Sequence, residues 1–67
     1  MINIHLNGEV REIPGEIDLT RLLEYFSLPD KRVAIELNGQ VTRRADWAEI
    51  CVSEGDRIEV VHFVGGG

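Results

Sequence analysis

Cysteine is nearly absent. Cys51 stands alone, so no internal disulfide can form and no cage of thiolates can hold zinc. Small secreted domains usually need such staples, which predicts a reducing, cytoplasmic setting. Long apolar runs are missing too: no stretch approaches the roughly 20 residues of a membrane helix. The opening MINIHLNGEV lacks the basic segment and apolar run that define a signal peptide, so no membrane association is expected. Two prolines and an aromatic content of 6% leave no proline-rich or fibrous tract. Basic residues are outnumbered, seven Lys and Arg against twelve Asp and Glu, for a net charge of −5. That balance argues against nucleic acid and against an anionic membrane surface. It favours protein partners with a neutral or basic docking face.

What remains is an ordinary globular composition, 43% hydrophobic and 28% charged, in 67 residues. One domain fits, and a chain this short buries only about 60% of its unfolded surface. Little room is left for a deep, walled active site.

The hydrophobic pattern resolves into elements. Ile2, Ile4 and Leu6 alternate with polar residues, as in a half-buried strand. Asn7-Gly8 can supply a two-residue hairpin turn, Glu9 to Ile13 the returning strand, and Pro14-Gly15 its end. Asp18 is placed to cap a helix whose apolar stripe is Leu19, Leu22, Leu23 and Phe26, and which should end before Pro29. Val33, Ile35 and Leu37 predict a third strand, Asn38-Gly39 a second turn, and Gln40 to Thr42 a short strand. Residues 43–50 could hold a helical turn that places Trp47, read as core more than as an interface anchor. After the turn Glu54-Gly55-Asp56, a β-branched run from Arg57 to Val64 predicts the last strand.

The order is strand, strand, helix, strand, short strand, strand. With the last strand returning beside the first, handedness restricts the topology to an α+β β-grasp, or ubiquitin-like, arrangement. It is a mixed sheet of four to five strands with one main helix across one face. The expected organisation is a domain over residues 1–64 and a glycine tail over 65–67.

Candidates for chemistry are few. His5 and His62 lie on different strands without metal-ligand spacing, and each reads as a strand histidine facing solvent or a partner. Cys51 reads as a small core residue. The pairs Glu9/Glu12 and Glu54/Asp56 read as solvated charge. No catalytic residue and no metal site is expected on the body. The informative segment is Gly65-Gly66-Gly67 directly after a strand. Without Cβ atoms such a tip can thread a channel too narrow for side chains. Its α-carboxylate is a poor electrophile until a partner converts it, with ATP, into an acyl-adenylate. A tail of small residues with no role is the alternative reading. Before the tip, Ile58 and Val60 share one face of the last strand and Val61 and Phe63 the other. If the helix covers the first pair, Val61 and Phe63 form an apolar patch beside the tail; otherwise both faces are buried.

Residues 33–67 resemble the ThiS family, thiamine-pathway sulfur carriers of the β-grasp class. The resemblance is carried by Asn38-Gly39, by Arg44 with Trp47, by Gly55-Asp56, and by His62-Phe63-Val64 before the glycines. The first half matches in length and element order more than in residues. Arg43 departs from the pattern, since many members have proline there.

The resemblance implies a non-enzymatic carrier that binds no cofactor itself. A ThiF-like partner would use ATP to adenylate Gly67. A cysteine desulfurase or sulfur-relay protein would supply sulfur for a C-terminal thiocarboxylate. A ThiG-like thiazole synthase would receive it. Gly65 and Gly66 would give reach, and Val61, His62, Phe63 and Val64 would dock partners. The rival readings are a sulfur carrier of another pathway (molybdopterin-synthase small subunit or tRNA thiolation) and a β-grasp interaction module whose glycines are incidental.

Overall fold

A computed structural model describes residues 1–63. The first two elements are β1 (Ile2–Leu6) and β2 (Glu9–Ile13), an antiparallel hairpin. Its turn takes positive φ at both central residues, 51° at Asn7 and 84° at Gly8, the geometry that matches strand twist. The helix α1 (Leu19–Tyr25) follows, with β3 (Val33–Leu37) and β4 (Gln40–Val41) forming a second hairpin through the equivalent turn at Asn38-Gly39. A 3-10 segment, Arg44–Glu49, leads to β5 (Arg57–His62). The five strands order as β2-β1-β5-β3-β4, with β5 parallel to β1 and antiparallel to β3.

The core lies between one sheet face and α1. Ile4, Leu6, Ile13, Val33, Ile35 and Ile58 from the strands meet Leu19, Leu22 and Leu23 of the helix, and Trp47 and Val52 complete the buried cluster. Asp18 caps α1 as its position predicts: its Oδ1 accepts from the Arg21 N–H at 2.8 Å.

The helix ends before Pro29 as expected, at Tyr25, and two other expectations are corrected. Ser27 turns left-handed at φ 55°, the Leu28 N–H donates to the Leu23 carbonyl, and the Ser27 N–H to that of Glu24. This closes the helix with a Schellman motif, so the chain turns away before proline matters. The strand assigned to residues 57–64 ends at His62; Phe63 is outside it and Val64 lies beyond the described residues.

Cys51 is exposed, not core. It forms an isolated bridge with Asp18, flanked by bonds from the Leu19 N–H to the Ile50 carbonyl and from the Val52 N–H to the Ile17 carbonyl. In extended backbone alternate side chains point opposite ways, so burying Val52 and half-burying Ile50 sends Cys51 outward.

Candidate functional site

Of the residues expected to dock partners, Val61, His62 and Phe63 lie at the end of β5. Its geometry follows from its pairing with β3, in which Val33 faces His62, Ala34 faces Val61, Ile35 faces Val60 and Glu36 faces Glu59. Side chains alternate, so Ile58 and Val60 turn toward the helix while Glu59, Val61 and Phe63 turn to the other face. Ile58 is 1% exposed and Val60 half-buried, whereas Val61 and Phe63 are each 49% exposed. Of the two readings of this strand, the covered and open faces are therefore the one realised. Phe63 is nonetheless held: its N–H donates to the Arg32 carbonyl at 2.8 Å, extending the β3–β5 ladder past the strand end. His62 is exposed. Val64 and the glycines 65–67, with Gly67 as the candidate carrier residue, lie outside the described residues.

The outer sheet face around Val61 is apolar but interrupted. Ala34 sits across from Val61, and Val41, 72% exposed, sits across from Glu36. Between them Glu36 and Glu59 face one another directly, and neither takes part in an ion pair among the described residues. Sequence inspection missed this juxtaposition, because nothing in a single strand states the register of its neighbour.

The residues singled out for chemistry are not brought together. His5 pairs with Arg57, five residues before His62, a separation of about 17 Å along the strand. Among the described residues no group of three or more His, Cys, Asp and Glu is placed to hold a metal ion. Glu54 and Asp56 are occupied with the backbone: Glu54 accepts from the Asn3 N–H and Asp56 from the Ser53 N–H. Trp47 is 4% exposed, its Nε1 donating to Thr42 Oγ1 at 3.0 Å, with the Arg44 guanidinium 4.6 Å above the ring. Among the described residues no helix is long and apolar enough to cross a membrane.

A mixed five-stranded sheet carrying one helix, with its first and last strands parallel at the centre, defines a β-grasp, or ubiquitin-like, protein. The crystal structure of a thiamine biosynthesis protein (ThiS) from Geobacter metallireducens superposes with a TM-score of 0.87 at 32% identity, covering 98% of this chain and 100% of that one. The ThiS family model matches residues 4–67, and the chain belongs to the ThiS family.

Among its relatives is the sulfur carrier protein ThiS of Bacillus subtilis, 39% identical over 65 residues that cover 96% of this chain and 98% of that protein. A thiazole synthase of Magnetococcus marinus is 39% identical over 66 residues, 98% of this chain. The chain spans 20% of that enzyme's length.

Proposed function

We propose that this protein is a sulfur carrier for thiamine biosynthesis, with Gly67 as the carrying residue. The carboxylate of Gly67 attacks the α-phosphate of ATP on a ThiF-like adenylating enzyme, and pyrophosphate leaves. A persulfide sulfur from a cysteine desulfurase or relay protein then displaces AMP from the acyl carbon. A thiol reduces the resulting acyl disulfide, releasing the thiocarboxylate and leaving the donor cysteine as a disulfide. The thiocarboxylate is delivered to a ThiG-like thiazole synthase for the thiazole ring. The body supplies no catalytic group and binds no cofactor; ATP belongs to the activating partner. Val61, His62, Phe63 and Val64 dock partners, and Gly65 and Gly66 give the reach that side chains would obstruct.

One observation carries this reading: family similarity runs through residue 67, so it includes the three glycines that follow β5. The occurrence of a region like this chain within a longer thiazole synthase supports the acceptor partner. The exposed, unpaired thiol of Cys51 supports a reducing, cytoplasmic setting.

Intact mass after incubation with ATP, an adenylating enzyme and a persulfide donor tests it. The carrier gains the mass difference between sulfur and oxygen, and deletion of Gly66-Gly67 abolishes the gain. An unchanged mass with partners active on another carrier refutes the reading. A module with incidental glycines would keep its partner after the deletion, and a carrier of another pathway would charge but fail to support thiazole formation.

A further inference from the structure

The strand that leads to the tail is paired by its two neighbours over unequal spans. On one side β5 follows β3 as far as His62. In that ladder Arg57, Glu59, Val61 and Phe63 direct their backbone groups toward β3. Bonds from the Asn38 N–H to the Arg57 carbonyl and from the Phe63 N–H to the Arg32 carbonyl mark its two ends. Ile58, Val60 and His62 must then present their N–H and C=O groups to the other side, where β1 lies. There β1 pairs with β5 only at Arg57 and Ile58. Past that point the hairpin turns away, and Asn7 stands in for the missing strand. Its N–H donates to the Ile58 carbonyl at 2.9 Å and its Oδ1 accepts from the Val60 N–H at 2.8 Å.

The Val60 carbonyl and both backbone groups of His62 follow, and neither strand nor turn supplies them a partner among the described residues. An open row of alternating acceptor and donor is a template for one more strand. The nearest acidic side chain on the outer face of β5 is Glu59, directly opposite Glu36 in a like-charge pair that costs stability where it stands. A cation brought alongside would relieve it.

We propose that the adenylating partner lays an extended segment along this free edge of β5, in line with β1, and seats a basic side chain of that segment beside Glu59 and Glu36. The inference rests on the carrier reading above and adds the form of the partner: a strand, with positive charge. The His62 N–H donates to a carbonyl of the incoming segment, and the carbonyls of Val60 and His62 accept from its amides. A strand seated there fixes the direction in which the chain leaves the sheet, which apolar contact through Val61 and Phe63 alone does not. A second copy of this chain is the less suited occupant, since it would bring another net charge of −5 to the same edge.

The test uses the full 67-residue chain made by chemical synthesis with an N-methyl group on the His62 amide. Because that N–H faces the free edge, Tm stays within error of the unsubstituted chain. KM for the chain in the partner's ATP–pyrophosphate exchange rises about tenfold or more. N-methylation of Phe63, whose N–H is bonded to Arg32, lowers Tm instead. Glu59→Lys removes the like-charge pair, so Tm holds or rises while KM increases. An N-methyl-His62 chain with unaltered KM overturns the proposal, as does an N-methyl effect confined to dimerisation of the free chain. Failure of the unsubstituted chain to be adenylated would instead refute the carrier reading, so the two failures are distinct.

Discussion

At the scale of single residues, four non-glycine residues among those described are in left-handed conformation: Asn7, Ser27, Arg32 and Asn38. The two asparagines are suited to it and were legible in advance, because Asn-Gly between alternating strands is a hairpin signal. Their side-chain work was not legible: Asn7 bonds to Val60, and Asn38 accepts from the Arg57 N–H while donating to Asp56, contacts between residues far apart in the chain. Ser27 and Arg32 both carry the Cβ penalty of the left-handed region, and Ser27 offers the cleaner test. It occupies the position after a helix that glycine fills without a Cβ penalty, and the motif around it is already complete. Ser27→Gly should therefore stabilise the domain by about 1 kcal/mol. For a chain of this size that is a rise of about 4–8 °C in Tm. Thermal unfolding followed by circular dichroism, with Ser27→Ala as the comparison, decides it. Equal melting of all three chains would mean that the turn stores no strain.

At the scale of elements, periodicity located β1, β3 and the helix, because burial of one face imposes the alternation or the stripe, while the Asn-Gly turns placed β2 and β4 and a β-branched run placed β5. Periodicity is silent where backbone rather than side chains decides the outcome. The end of α1 is set by carbonyls closing onto Ser27 and Leu28, and the outward turn of Cys51 by a two-residue bridge to Asp18. Trp47 was read correctly as core, yet its polar edge ties two elements together. Nε1 donates to Thr42 Oγ1, which in turn donates to the Ile35 carbonyl at 2.8 Å, linking the 3-10 segment through the residue after β4 to the middle of β3. Trp47→Phe should cost about 2–3 kcal/mol, from lost volume and the lost bond. Thr42→Val removes the same bond from the other end, so the double variant should fall short of the sum by about 0.5 kcal/mol or more. Urea unfolding of the four chains measures the coupling, and strict additivity would show that the indole and hydroxyl act independently.

At the scale of the whole molecule, the acidic body and the apolar patch are two different handles on a partner, and they can be separated. The acidic excess was plain from composition, but the pairing of Glu36 with Glu59 beside Val61 appears only once β5 is set between β1 and β3. Phe63 contributes apolar contact: half its surface is already in water, and its backbone bond to Arg32 does not depend on its ring. Phe63→Ser should therefore cost less than about 1 kcal/mol of folding stability, in keeping with a half-exposed site. The same change should weaken binding to the adenylating enzyme about tenfold or more, as removal of a buried interface aromatic does. Burial of apolar area is not screened by salt, so the Phe63→Ser deficit should persist at an ionic strength near 1 M, where screening acts over about 3 Å. The deficit of Glu59→Lys, being electrostatic, should shrink under the same conditions. Affinities measured across a salt series, alongside melting curves for each variant, check both statements. If Phe63→Ser lost folding stability and affinity in equal measure, the ring would be part of the core's support and the apolar handle would have to lie elsewhere on the sheet.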